Sequence, residues 1–319
     1  MKVSFVIPCY RSQRTIEYVV NEIEQTMSGL QDYEHEIILI NDSSPDDTFM
    51  TIRSLAEKND RIIGVDLAKN FGQHAALMAG FGFAAGDIVV CLDDDGQTPA
   101  GEVTKLLEKI EEGYDVVYAK YDEKKHSWFR NTGSRINSRM TEVMLGKPSE
   151  LYISSYFAAR RFVVDEMLRY RNAFPYVIGL VLRTTNKICN VDVKHRDRRE
   201  GESGYSLKKL LALWINGFTS FSVKPLRAAT FCGLIIALTG FLYTIWTVIK
   251  KFINPDVPIG WSSTMSVILV IGGMILLVLG MIGEYIGRIY ICINDSPQYV
   301  IREVIGNTGH ADDPGNVTA

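Results

Sequence analysis

Asp87-Ile88-Val89-Val90-Cys91-Leu92-Asp93-Asp94-Asp95 is an apolar run that ends in three consecutive carboxylates. Its apolar part has the length and β-branched content of a buried strand. Clustered carboxylates at the end of such a strand are costly, because like charges repel and burial strips their solvation. A hard divalent cation such as Mg²⁺ or Mn²⁺ relieves both problems. It takes oxygen ligands and bridges one or two carboxylates to substrate phosphates. The alternative is a solvated acidic turn that caps the next helix, expected to begin near Pro99.

Working outward, short apolar runs alternate with helical patterns. Val3–Ile7, Glu36–Ile40, Arg61–Leu67 and Val116–Ala119 read as further strands. Helices are expected over Thr15–Met27, Asp46–Lys58, Gly72–Ala84 and Pro99–Glu112. This alternation predicts an α/β fold with a mostly parallel sheet covered on both faces. Ligands of such sheets bind beyond the carboxyl ends of the strands. Those ends are Pro8-Cys9-Tyr10, Asn41-Asp42-Ser43-Ser44 and Asp93-Asp94-Asp95, so all three line one crevice. Pro8 ends the first strand, Tyr10 offers a ring for a flat base, and Asp42 can accept hydrogen bonds from base or ribose. Taken alone, Asn41 to Pro45 reads more readily as a turn and helix cap. No Gly-x-Gly-x-x-Gly and no P-loop follows the first strand. A bound nucleotide's phosphates would then need a metal, which suits a nucleotide-sugar enzyme better than a dehydrogenase or kinase.

The 319 residues carry a net charge of −3, so no basic field points to nucleic acid. Five scattered cysteines with no Cys-x-x-Cys pair read as reduced thiols. Met1 to Pro8 reads as a strand and lacks the apolar core of a signal peptide, so none is expected. Composition shifts near residue 226. Ala228–Ile249 and Met265–Ile282 are apolar and free of charge. Each is long enough to cross a bilayer core, which takes about 20 helical residues. Lys208, Lys209, Lys224 and Arg227 precede the first span, while Arg288 and Arg302 follow the second. The positive-inside bias puts both termini in the cytoplasm, against the weaker pull of Lys250 and Lys251 in the outer turn. Leu210, Leu211, Trp214, Phe218 and Phe221 recur at helical spacing opposite Lys208 and Lys209, as in an interfacial amphipathic helix. Gly280, Gly283 and Gly287 offer a close-packing face, either within the hairpin or between protomers of a homo-oligomer.

Four segments together resemble the successive motifs of family 2 glycosyltransferases. They are Val6–Tyr10, Ile40–Thr48, Lys69–Ala76 and Leu92–Pro99. With His195–Leu210 and Phe221–Arg227 leading into a hairpin, the resemblance narrows to the polyprenyl-phosphate glycosyltransferases, the group of bactoprenol glucosyltransferases and dolichol-phosphate mannose synthases. It covers nearly the whole chain through the second span. It implies a GT-A, Rossmann-like domain followed by a two-helix transmembrane hairpin. Asp93 and Asp95 take the two acidic positions of the Asp-x-Asp signature, Asp95 as the metal ligand and Asp93 toward ribose or metal. Gln97 falls near the sugar-phosphate. Pro8, Tyr10 and Asp42 match nucleotide-pocket positions. The chain departs from the pattern at Arg11 and Ser12, where asparagine and glutamate are frequent. It departs again at Ser155, where many relatives have aspartate.

Arg130, Ser134 and Arg135 form one set of groups suited to an acceptor phosphate, and Arg198, Ser203 and Tyr205 form another. Both regions resemble acceptor-binding parts of the family. The expected organisation is a glycosyltransferase domain over 1–205 and an amphipathic juxtamembrane helix over 206–227. Spans follow at 228–249 and 264–286 around an outer turn at 250–263, with a cytoplasmic tail at 287–319, disordered at its end. The resemblance implies inverting transfer from a nucleotide-diphosphate sugar, with UDP-glucose the first candidate, to a polyprenyl phosphate such as undecaprenyl phosphate at a bacterial inner membrane. A membrane-anchored enzyme extending a glycolipid or polysaccharide, and a non-catalytic nucleotide-sugar sensor, remain alternatives.

Overall fold

The computed structural model describes residues 1–121, 147–194, 260–294 and 296–307, with 142, 196 and single positions between 231 and 253. Two compact units are present, Met1–Ala212 with Asp295–Ala319, and Leu213–Asn294.

The first unit is built on an eight-stranded sheet. Its strands are β1 (Lys2–Cys9), β2 (Glu34–Asn41), β3 (Ile62–Leu67), β4 (Ile88–Cys91), β5 (Val116–Tyr121), β6 (Phe157–Arg160), β7 (Ile188–Val193) and β8 (Ile301–Ile305). The spatial order is β7-β5-β6-β4-β1-β2-β3-β8. Strands β4, β1, β2 and β3 are mutually parallel neighbours. β6 runs antiparallel between β4 and β5, and β7 is parallel to β5. β8 closes the far edge antiparallel to β3.

Helices cover both faces, as parallel strands require. α1 (Ile16–Ser28) buries Ile16, Val19, Val20, Ile23 and Met27, the three-and-four spacing of one helical stripe. α2 (Thr48–Lys58) and α4 (Val103–Glu111) repeat the pattern. These stripes join Val3, Phe5, Ile7, Leu39, Val90 and Leu92 in one core cluster. Each buried aliphatic side chain contributes about 1.5–3 kcal/mol. α3 (Gln73–Phe81) uses small residues to approach the opposite face. A Cβ on Gly80 would stand 2.5 Å from Val6 Cγ1 and 2.6 Å from Ile40 Cδ1. α5 (Arg161–Leu168) and α6 (Val177–Thr184) complete that side. Cys9, Cys91, Cys189 and Cys292 are free thiols.

In the second unit, α7 (Trp261–Ile293) runs for 33 residues, about 50 Å at helical rise. Val270–Ile293 is long and apolar enough to cross a membrane. Ile275, Leu276, Leu279, Ile286 and Ile289 are all exposed on it. An exposed apolar run of this length needs lipid or protein around it.

α7 starts at Trp261, inside the expected outer turn, because Gly260 caps it and accepts Thr264 N–H at 2.9 Å. It ends at Ile293 rather than 286, since apolar residues resume after Arg288. The stretch expected as a tail, 287–319, supplies β8. Its five residues alternate partly buried and exposed, too short a run, broken by Arg302 and Glu303, to read alone as a strand. The juxtamembrane segment 206–227 lies outside the described residues.

Candidate active site

The ends of β4, β1 and β2 are neighbours in the sheet, so the three predicted loops meet. The triple carboxylate divides its work among them. Asp94, the middle residue, turns toward the β1 loop. Its Oδ2 accepts Tyr10 N–H at 3.0 Å and the Ser12 hydroxyl. Ser12 N–H donates in turn to Thr48 Oγ1 at 2.9 Å. The Thr48 and Ser44 hydroxyls donate to Asp46 Oδ1 at 2.6 and 2.5 Å, and Arg11 N–H donates to Ser44 Oγ at 2.7 Å. One network thus ties three strand ends together. Arg11 and Ser43, at φ 60° and 50°, occupy left-handed backbone within it. Non-glycine residues hold that conformation only where surroundings impose it. Dense packing around the Asp94 carboxyl raises its pKa, against the lowering by Ser12 and Tyr10, and the Asp95 charge adds to the rise.

Asp93 points elsewhere. Gln73 Nε2 donates to its Oδ1 at 3.2 Å, and the Ser155 hydroxyl donates to its Oδ2. Asp95 Oδ1 accepts Gln97 N–H at 3.0 Å. Gly96 between them has φ +69°, and a Cβ there would meet the Tyr18 ring at 3.3 Å. A side chain at 96 would be strained twice over. Arg196 closes this corner. Its N–H donates to Gln97 O at 3.0 Å, and its guanidinium donates to Tyr18 OH at 2.8 Å beside Glu22.

Asp42 is 4% exposed and anchors the segment after β3. Its two oxygens accept Phe71 N–H at 2.7 Å and Gly72 N–H at 2.8 Å, and Asn70 Nδ2 reaches its carbonyl at 3.2 Å. Burial raises the Asp42 pKa and the two amides oppose that rise. Gly72 makes this turn at φ +89°, directly before α3. His74 in the first turn of α3 stacks edge-on to Tyr176 at 5.0 Å, and burial pushes its pKa down to about 4. Its Nδ1 is enclosed and has no hydrogen-bond partner among the described residues.

The predicted crevice residues therefore come together. Pro8 lies opposite Ile40 at the end of β1. Tyr10 is 45% exposed, with the Arg11 guanidinium 5.6 Å from its ring centroid. Asp93, Asp95 and Gln97 are half-buried beside them, and Asp42 lies buried beneath the end of β2. Arg130, Ser134, Arg135, Arg198, Ser203 and Tyr205 lie outside the described residues. Sequence reasoning missed the roles of Gln73, Ser155, Ser12, Thr48 and the Phe71 and Gly72 amides. The Lys69–Ala76 motif was a signal for the last pair, but nothing in it marks Asp42 as their acceptor.

Among the described residues, no three His, Cys, Asp or Glu side chains gather as a closed cation cage. Asp93, which accepts from Gln73 and Ser155, and Asp95, which accepts Gln97 N–H, bring two carboxylates of hard oxygen donors close together, while Asp94 turns to Tyr10 and Ser12. That donor set fits Mg²⁺ or Mn²⁺, which bind through one or two carboxylates and complete their shell with water and substrate phosphate.

Residues 4–168 match the family described as glycosyl transferase family 2, and residues 224–289 match the GtrB C-terminal hairpin. An uncharacterized glycosyltransferase, YkcC of Bacillus subtilis (strain 168), is 33% identical over 304 residues, 95% of this chain and 94% of its own. The undecaprenyl-phosphate 4-deoxy-4-formamido-L-arabinose transferase of Proteus mirabilis (strain HI4320) is 32% identical over 308 residues, 96% of this chain and 94% of its own. Among solved structures, glucosyl-3-phosphoglycerate synthase from Mycobacterium tuberculosis, crystallised with Mn²⁺, UDP-glucose and phosphoglyceric acid, superposes with a TM-score of 0.50. It is 23% identical and covers 66% of this chain and 75% of that chain, a likeness of fold.

Proposed function

The chain belongs to glycosyl transferase family 2, and from that membership we propose that it moves a sugar from a nucleotide-diphosphate donor onto the phosphate of a polyprenol such as undecaprenyl phosphate. The observation that carries the reading is a combination in one chain. A carboxylate-rimmed crevice at the ends of β1, β2 and β4 is joined to a hairpin of the GtrB type. The Proteus relative, an undecaprenyl-phosphate sugar transferase by name, aligns with this chain over nearly its whole length, which supports the reading.

The residues have separable tasks in this reading. The exposed Tyr10 ring and the Asp42 carboxylate receive the nucleoside. The Asp94 network fixes the loop that carries Tyr10, so little ordering is left for the moment of binding. Asp93 and Asp95 would hold the divalent cation, which when bound neutralises the leaving diphosphate. Gln97 stands beside them, with its backbone pinned by Asp95 on one side and Arg196 on the other. The acceptor is already an anion at neutral pH, so attack needs alignment more than a base. Ser155 fits that requirement, since its hydroxyl is turned to Asp93 at the point where many relatives carry aspartate. Single displacement at the anomeric carbon inverts it. Arg130, Ser134, Arg135, Arg198, Ser203 and Tyr205 are proposed to receive the lipid phosphate.

We place the protein in the bacterial inner membrane, with the sheet-bearing unit and both termini on the cytoplasmic side. β8 follows α7 in sequence yet pairs with β3, which supports an even number of crossings between them. UDP-glucose is the first donor to try. Full-length protein, Mg²⁺ or Mn²⁺, a panel of UDP- and GDP-sugars and undecaprenyl phosphate are combined, and the lipid is weighed by mass spectrometry. The expected result is a gain of one sugar residue. Transfer to a glycolipid or polysaccharide but not to the lipid phosphate would replace this reading with an extending enzyme. No transfer from any donor would leave a non-catalytic sensor.

A further inference from the structure

The strand that follows the membrane hairpin reaches back to the nucleotide end of the crevice. β8 pairs with β3 as Asp66↔Glu303 and then Leu67↔Ile301, so one step on β3 spans two residues on β8. The extra residue is Arg302, at a β-bulge. Bulges re-aim a side chain and recur next to functional sites. Arg302 Nη1 meets Asp66 Oδ2 at 3.1 Å, and Nη2 donates to Ala68 O at 2.7 Å. Val300 O accepts Ala68 N–H at 2.8 Å, so both backbone polar groups of Ala68 are held by the incoming segment. Asp66 is 3% exposed, and its other oxygen accepts Asn41 Nδ2 at 2.7 Å. Asn41 immediately precedes Asp42, and Ala68 leads into the Asn70-Phe71-Gly72 turn that grips Asp42.

We propose that Arg302 is a positioning residue for the nucleotide pocket. From the far side of the hairpin, it fixes through Asp66 and Ala68 the turn that orients Asp42. The inference rests on the donor reading above for its ligand, though not for its geometry. Without the guanidinium, Asp66 keeps its buried charge with one side-chain donor fewer, and the carbonyl of Ala68 loses its partner. A neutral hydrogen bond cannot replace a charge-assisted fork. The turn at 70–72 then loosens and Asp42 meets the nucleoside in several orientations.

Glu303 supplies the control. It sits on the same strand, opposite Asp66 in the register, but both its carboxylate oxygens accept from Arg53 Nη2 of α2, at 2.7 and 2.8 Å, and neither touches the 68–72 segment. Arg302→Ala, Arg302→Lys and Glu303→Gln are compared in the full-length protein in detergent. Hydrogen exchange is read across residues 68–74, and UDP and GDP affinity with Mn²⁺ by calorimetry. Arg302→Ala should speed exchange in that segment and weaken nucleotide binding roughly ten-fold, the usual loss for a charge-assisted hydrogen bond. Turnover at saturating donor should change less than two-fold. Arg302→Lys should recover part of the affinity, and Glu303→Gln should leave both readouts at the wild-type level. Equal effects of Arg302→Ala and Glu303→Gln would reduce Arg302 to a strand anchor and overturn the proposal, as would unchanged exchange. A wild type that bound neither nucleotide would count against the donor reading, while the exchange comparison would still decide whether Arg302 holds the turn.

Discussion

Three adjacent aspartates have three different fates. On the proposed assignment of Asp95 to the metal, Asp95→Asn removes one carboxylate charge at nearly constant volume, and transfer should fall by roughly 10²-fold or more with the circular dichroism unchanged. Near-wild-type turnover in saturating Mn²⁺ would refute its assignment as ligand. Asp94→Ala should act differently. It strands Tyr10 N–H and the Ser12 hydroxyl, which costs about 1–3 kcal/mol in denaturant titration. The donor KM should rise, while Asp94→Asn, which keeps an acceptor, should lie between. Equal kcat losses in Asp94→Ala and Asp95→Asn would put Asp94 on the metal instead. His74 predicts a pH effect. Its folded pKa of about 4 lies below the ordinary 6.5, so between those values the unfolded chain binds more protons. Stability should therefore be lost as pH falls from 6.5 toward 4. Asp42 and Asp94 act oppositely, because their raised pKa values favour the native state on acidification. His74→Gln isolates the histidine, and its thermal midpoint should drop less over that window than the wild type's.

At the scale of elements, the first five strands and four helices were legible in the sequence because each carries its own period and its own stop signal. Even there α3 shortens to Gln73–Phe81, and Pro99 opens a 3₁₀ turn at Ala100–Glu102 before α4. β6, α5, α6 and β7 were not read, since Phe157–Arg160 is only four residues and owes its strand identity to neighbours on both sides. The crevice was legible as three strand ends. Which carboxylate turns to backbone and which to the rim was not, because that depends on cross-loop hydrogen bonds no spacing encodes. Gly80 tests the packing of α3. Alanine there gains up to about 1 kcal/mol in helix propensity. It must also displace Val6 and Ile40, at about 1–3 kcal/mol. A net loss of about 1–2 kcal/mol in chemical denaturation is expected, and a stabilised variant would mean the helix can lift off the sheet freely.

For the whole molecule, the boundary between soluble part and membrane part does not fall at one point in the sequence. A chain cut after Lys224 keeps every crevice motif yet lacks β8, Arg302 and the Arg53–Glu303 pair. It should aggregate through the bare edge of β3 and bind nucleotide weakly. Deleting 213–294 with a flexible joint that retains 295–319 should instead give a monodisperse domain by size exclusion. If both behaved alike, β8 would be dispensable. The same strand sets a timetable. β3 is finished early in synthesis, while its partner waits until residues 68–300 have been made, roughly ten seconds or more at about 5–20 residues per second. Throughout that interval the nascent chain displays an open row of amides and carbonyls. Insertion of the hairpin is therefore raced against capture of that edge by a stranger, and a ribosome that stalls within the hairpin leaves behind a sticky, half-closed sheet.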